Sequence, residues 1–136
     1  MADDVLLNKA SAIERFLSRI REEYLGYESA LETDFTRQDS VVLNLQRACE
    51  ASIDLAMHVS RKQSPGLPQD ARDAFTLLEK AGVIPPDIAN HMRAMVGFRN
   101  VAVHQYQDLS MPVLRSILEH HLNDFTAFTR RLVQAK

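Results

Sequence analysis

Three side chains in the C-terminal half have types and a spacing that could do chemistry. Arg99 is followed after four residues by His104, and Tyr106 comes two positions later. Arginine offers a permanent charge to a phosphate, histidine takes or gives a proton near neutral pH, and tyrosine supplies a stacking face or a hydroxyl. Such a set could cleave RNA without a metal. A base would take the proton of the ribose 2′-hydroxyl, the arginine would stabilise the charged phosphorane, and an acid would protonate the leaving 5′-oxygen.

Each of these residues also has an ordinary structural role that the sequence leaves open. Arg99 could pair with an internal acid such as Asp54, or extend its charged end to solvent. A lone helical histidine is more often a surface or hydrogen-bonded residue, and a lone tyrosine more often packs its ring. The combination of all three, and not any single one, favours a site.

A helical wheel shows how one continuous helix would place these side chains. Arg99 falls in the middle of the apolar sector, and Tyr106 falls almost on top of Ile88 at about 100° per residue. His104 shares another sector with Asn100, and it diverges from Arg99 by about 140°. This divergence would be eased if the helix ended near residue 103 and if two copies of the chain met around a two-fold axis.

The elements that must position these residues are predicted to be helices. Four glycines and five prolines in 136 residues favour long helices, and no stretch alternates as a strand would. Apolar spacing, caps and breakers predict helices over residue 3 or 4 to 24, 36 to 62, 70 to 81, from Pro86 through the Arg99 stretch, and from Ser110 to the C-terminus. Thr36 with Asp39 resembles a capping box, and Ser64-Pro65 begins a break. The predicted fold is all-α, an antiparallel bundle of about five helices in one domain over residues 1–136.

Composition sets limits on the class of protein. Hydrophobic residues are 46%, charged residues are 25%, and the net charge of −2 argues against a surface built for bulk phosphate neutralisation. No apolar run is long enough to span a bilayer, and the acidic N-terminus is unlike a signal peptide, so we expect a cytoplasmic protein. The single Cys49 is expected to be a small core residue.

A metal site is not expected. His120 and His121 are adjacent, and neighbouring helical residues point about 100° apart, so they do not ligate one ion together. His120 with Asp124 has usable spacing, but a surface pair is the favoured interpretation.

The residues from Arg99 to Tyr106 match the R-x4-H-x-Y motif, and the sequence resembles the HepT-type toxins of the HEPN superfamily. The resemblance extends upstream through Gly66-Leu67-Pro68, the run from Asp73 to Pro85 and the stretch from Met95 to Asn100. It is close over residues 64 to 106. Gln107-Asp108 departs from the pattern, since relatives often carry an Ile-Asp pair after the tyrosine.

This resemblance implies a homodimeric, metal-independent endoribonuclease toxin of a type VII toxin–antitoxin system, without a cofactor. It implies that Arg99 and His104 are catalytic and that Asn100 supports them. Tyr106 would be the hydroxyl to which a cognate MntA-type minimal nucleotidyltransferase antitoxin adds AMP units, and tRNA or mRNA would be the substrate.

Two other classes of function remain open from the sequence. The chain could be a non-catalytic helical module that binds a nucleotide or a nucleotidyltransferase through the Arg99 cleft. It could also be a purely structural dimeric bundle. Cleavage of RNA in EDTA distinguishes the nuclease from both.

Overall fold

Helices dominate the fold. The computed structural model describes residues 3–63 and 66–134, and no β-strand occurs within these ranges. The helices are α1 (Asp4–Tyr24), α2 (Phe35–Gln63), α3 (Ala71–Lys80), α4 (Pro86–His104), α5 (Met111–His120) and α6 (Leu122–Gln134), with 3₁₀ turns at Glu28–Ala30 and Tyr106–Asp108. The predicted all-α bundle is therefore confirmed. The predicted break at Ser64-Pro65 lies outside the described residues.

Local signals set most of the helix ends. Asp3 caps α1, because its Oδ1 accepts a hydrogen bond from the Leu6 N–H at 3.1 Å. Asp70 caps α3 and Ser110 caps α5 in the same way. Gly82 follows α3 with a φ of 75°, a backbone conformation that glycine adopts without strain.

Two predicted features are wrong. The start of α2 is capped not by Thr36 and Asp39 but by Asp34, whose Oδ1 accepts from the Arg37 N–H at 3.1 Å. The predicted fifth helix is two helices, because the chain turns at His121 (φ −125°, ψ 0°) between α5 and α6. The apolar spacing continues through this turn, so periodicity alone does not reveal it.

The core forms around α2. The contact between α1 and α2 is the most extensive in the fold, and α4 packs against α2, α3 and α6. Phe75 and Phe128 meet edge to face, with ring centroids 5.4 Å apart. Cys49 is a buried free thiol, as expected, and burial raises its pKa well above the usual range. Among the residues described, no helix is long and apolar enough to cross a membrane.

Candidate active site

Helix α4 positions the predicted site residues, and it ends within the motif. Pro86 is its first residue, where a missing N–H leaves no helical hydrogen bond unmade. The helix ends at His104, one residue beyond the expected position. Gln105 leaves the helical conformation (φ −142°, ψ 51°) while its N–H still donates to the Val101 carbonyl at 2.8 Å. His104 and Tyr106 are therefore on different elements.

Arg99 is half-buried near the C-terminal end of α4. Its Nε donates to the Asn100 Oδ1 at 3.0 Å. Its charge acts on the Cys49 thiol of α2, opposing the larger effect of burial on that thiol's pKa. Asp54, the acid considered as its partner, instead pairs with Lys9 at 3.3 Å. Within residues 3–63 and 66–134 Arg99 forms no ion pair, so its guanidinium remains available to a phosphate.

His104 is exposed at the last position of α4. In the part of the chain that the structure describes, its ring makes no hydrogen bond or ion pair, and nothing of that kind joins it to Arg99 or Tyr106. One copy of the chain therefore presents an exposed imidazole and a half-buried guanidinium that do not meet. This agrees with the divergence that the wheel predicts for Arg99 and His104.

Tyr106 does not lie on the apolar face of α4, so its placement over Ile88 on the wheel is wrong. It begins the second 3₁₀ turn, and its side chain is 38% exposed. Its hydroxyl donates to the Asp39 Oδ1 of α2 at 2.6 Å. Partial burial and this contact with a carboxylate raise the pKa of Tyr106 to about 12, because both disfavour the charged phenolate.

Asp39 is the partner of the Tyr106 hydroxyl, a contact that the sequence does not predict. Its position near the start of α2 suggests only a role in a helix cap. Its actual partner is 67 positions away in the chain. No local pattern predicts this contact, which depends on where α4 ends and on how α4 packs against α2.

A second cluster of polar side chains lies at the junction of α4 and α6. The Asp124 carboxylate contacts the Nδ1 of His121 at 2.9 Å and the Nδ1 of His91 at 3.3 Å. The predicted partner His120 is therefore wrong by one position. The cluster borders a cavity of about 420 Å³ whose other walls are mainly apolar, including Met95 and Phe98. Among the described residues, no three His, Cys, Asp or Glu side chains are arranged to hold a metal ion.

A comparison with protein families decides what kind of protein carries this motif. The family model described as Ribonuclease HepT-like matches residues 10–132, which is nearly the whole chain. The chain belongs to the HepT-like ribonuclease family. Its predicted membership and its predicted class of activity, an RNA nuclease, are confirmed.

Individual HepT relatives are similar over almost their full length. The mRNA nuclease HepT of Shewanella oneidensis is 46% identical over 126 residues, which are 93% of this chain and 94% of the relative. The tRNA nuclease HepT of Aphanizomenon flos-aquae is 23% identical over 94% of this chain and 87% of its own length.

The similarity extends to a solved complex. The structure of a tri-AMPylated Shewanella oneidensis HEPN toxin with its MNT antitoxin matches with a TM-score of 0.92 and 44% identity, covering 99% of this chain and all of that one. A toxin–antitoxin structure with AMP-PNP matches equally well, at 43% identity. The roles of Arg99, Asn100, His104 and Tyr106 stay predictions, and the geometry above is the basis for testing them.

Proposed function

We propose that this chain is the toxin of a type VII toxin–antitoxin pair. It cleaves RNA in the cytoplasm without a metal, through Arg99 and His104, and AMP addition to Tyr106 inhibits it. The observation that carries the proposal is the half-buried Arg99, which has no acidic partner in the described part of the chain and lies five positions before an exposed histidine. An arginine that is partly withdrawn from water is costly unless it is paired or lines a cleft.

The chemistry follows from the two residue types. The guanidinium of Arg99 binds the scissile phosphate and stabilises the extra charge of the phosphorane. The hydrogen bond from its Nε to Asn100 fixes the plane of the guanidinium and leaves the two terminal nitrogens for phosphate oxygens, so Asn100 is a positioning residue. His104 transfers protons, and its exposure gives a bulky substrate access to the imidazole.

A cleft between two copies of the chain supplies a second proton-transfer group, which one chain lacks. Cleavage at a 2′-hydroxyl needs a base and an acid, while each chain offers one histidine at the motif. A two-fold axis near the end of α4 brings two Arg99 and two His104 side chains to one cleft. One His104 then takes the 2′-hydroxyl proton, and the other protonates the leaving 5′-oxygen.

Tyr106 is suited to be the point of inhibition. It is exposed and lies in the turn that follows His104. AMP units attached there place phosphates next to the cationic cleft, where they compete with the RNA phosphate for the same charges. The similarity to an AMPylated toxin seen with its antitoxin supports this role and a cognate MntA-type nucleotidyltransferase as partner.

Cleavage of total tRNA and of mRNA in EDTA tests the proposal. Arg99→Ala and His104→Ala are each expected to reduce the cleavage rate by about 10²-fold or more, because each removes a group that acts in the transition state. Arg130→Ala and His120→Ala are matched controls, since both remove an exposed side chain of the same type elsewhere on the surface. They are expected to cleave like the unmodified chain.

Two results would contradict the nuclease assignment. Cleavage that persists in both folded motif variants would remove Arg99 and His104 from the mechanism. Nucleotide binding without any cleavage by the unmodified chain would instead support the non-catalytic module.

A further inference from the structure

The contact between Tyr106 and Asp39 points to a role that the motif does not contain. We propose that Asp39 is the base that accepts the phenol proton when AMP is transferred to Tyr106, so that the toxin supplies part of the chemistry of its own inhibition. This inference rests on the proposed function, because it requires Tyr106 to be the modified residue.

The geometry orients the hydroxyl for attack. The Tyr106 Oη gives its single proton to the Asp39 Oδ1 at 2.6 Å, and no donor in the described part of the chain occupies its lone pairs. Those lone pairs therefore point away from the carboxylate. Tyr106 is 38% exposed and Asp39 is exposed, so a second protein can bring a nucleotide to the oxygen.

The electrostatics explain why a base is needed. Burial and Asp39 raise the pKa of Tyr106 to about 12, and no positively charged side chain contributes to lowering it. At neutral pH only about one molecule in 10⁵ would hold a phenolate in advance. A carboxylate that already accepts the hydrogen bond can take the proton as the phosphorus–oxygen bond forms. Protein kinases place an aspartate against the hydroxyl of their substrate in the same way.

AMP transfer to Tyr106 forms one bond to the α-phosphorus and breaks another. The Tyr106 Oη attacks the α-phosphorus of ATP held by the nucleotidyltransferase, and an oxygen–phosphorus bond forms. The bond from that phosphorus to the bridging oxygen breaks, and pyrophosphate leaves with the electron pair. The phenol proton passes to the Asp39 carboxylate and then to solvent. The product ester has no proton to donate, so the hydrogen bond to Asp39 is lost.

A structural role for Asp39 would be the simpler explanation, since its hydrogen bond also ties the second 3₁₀ turn to α2. Two substitutions separate the two roles. Asp39→Asn keeps an oxygen that can accept the hydroxyl proton in a hydrogen bond, but an amide does not take up the proton. Asp39→Ala removes both the hydrogen bond and the base.

The test measures AMP addition by intact mass, with the cognate MntA-type nucleotidyltransferase, Mg²⁺ and ATP. Asp39→Asn and Asp39→Ala are both expected to slow the first addition by about 10²-fold at pH 7.5, the usual contribution of a general base. Asp108→Asn is the matched control, because it removes the same charge from the turn that carries Tyr106. It is expected to be modified at the unaltered rate, and RNA cleavage by unmodified Asp39→Asn is expected to be unaltered as well.

A pH series distinguishes a general base from a purely structural hydrogen bond. Without a base the transfer has to start from the phenolate, whose fraction rises about tenfold per pH unit. The ratio of the unaltered rate to the Asp39→Asn rate is therefore expected to fall about tenfold per unit between pH 6.5 and 8.5. Both rates are measured with the same nucleotidyltransferase, so any effect of pH on that enzyme cancels in their ratio.

These measurements distinguish a failure of the role of Asp39 from a failure of the role of Tyr106. If Asp39→Asn is modified at the unaltered rate, or if the ratio is constant with pH, Asp39 is not the base and the inference is overturned while Tyr106 remains the acceptor. If Tyr106→Phe still receives AMP, the acceptor lies elsewhere, and the proposed role of Tyr106 fails together with this inference.

Discussion

At the scale of single residues, the hydroxyl of Tyr106 is held in its neutral form by its surroundings. Its pKa of about 12 compares with 10.0 for an unperturbed tyrosine. The folded state thus has the higher pKa, and its contact with Asp39 stabilises the fold fully below pH 10. That stabilisation is lost as the pH rises from 10 through 12. Partial burial is the largest single cause of the shift, and it is followed by the hydrogen bond to Asp39 and then by the charge of that carboxylate.

Asp39→Asn is therefore expected to lower the pKa of Tyr106 only part of the way towards 10, because the burial remains. An ultraviolet absorbance titration of the phenolate measures this value. Tyr106→Phe provides the difference spectrum that separates Tyr106 from Tyr24, whose pKa is also raised to about 12 by burial and by Glu119. An unaltered Tyr106 titration in Asp39→Asn would show that the carboxylate does not act on the hydroxyl in solution.

At the scale of helices, local chemistry made some boundaries predictable and tertiary packing decided the others. The sequence predicts helices that start at Asp70 and Ser110, and both residues cap their helices there, because a cap is formed by residues three positions apart. The turn at His121 was missed, since neither glycine nor proline marks it. The partner of Tyr106 was missed because the end of α4 and its packing on α2 bring together residues 67 positions apart.

The start of α1 illustrates a helix end stabilised by both a cap and charge. Asp3 accepts a hydrogen bond from the Leu6 N–H, and its carboxylate also contacts the Nε2 of His58 at 3.0 Å and the Nζ of Lys62 at 3.4 Å. The backbone hydrogen bond first, and His58 next, lower the pKa of Asp3 to about 2. The N-terminus of α1 is thereby joined to the C-terminal part of α2.

Asp3→Asn separates the charge from the cap, since asparagine caps a helix as well as aspartate does. The variant is expected to melt at a lower temperature than the unaltered protein at pH 7. The folded pKa is depressed, so the charge stabilises above the unfolded value of 3.8, and this contribution is lost as the pH falls towards 2. Thermal melts between pH 7 and 2 should show the two curves converging.

Asp4→Asn is the matched control for that series. It removes a carboxylate from the first turn of the same helix, where the helix dipole favours it and no ion pair with it occurs among the described residues. It is expected to have a smaller effect on the melting temperature. Identical melts for the two variants at every pH would mean that the contacts of Asp3 with His58 and Lys62 contribute nothing to stability.

At the scale of the whole molecule, the position of the motif at one end of α4 determines how a site can be completed. Arg99 is half-buried, whereas His104 is exposed at the end of the helix. The overall charge of −2 gives no general attraction for RNA, so binding depends on a local concentration of cations. Two copies that meet at this end would provide that local concentration of cations. They would also bring two His104 side chains to one cleft.

Mixing two inactive variants tests this shared cleft directly. Arg99→Ala and His104→Ala chains carrying different affinity tags are refolded together, and the mixed dimers are purified through both tags. A mixed dimer has one Arg99 and one His104 at the same cleft, so its cleavage rate is expected to exceed that of either parent by at least about tenfold. It remains below the unaltered rate, because its cleft lacks one Arg99 and one His104. The control pairs the Arg99→Ala chain with a chain that carries both substitutions. That dimer has one His104 and no Arg99, so it should stay inactive. A mixed dimer no faster than its parents would contradict a cleft in which Arg99 of one chain acts together with His104 of the other.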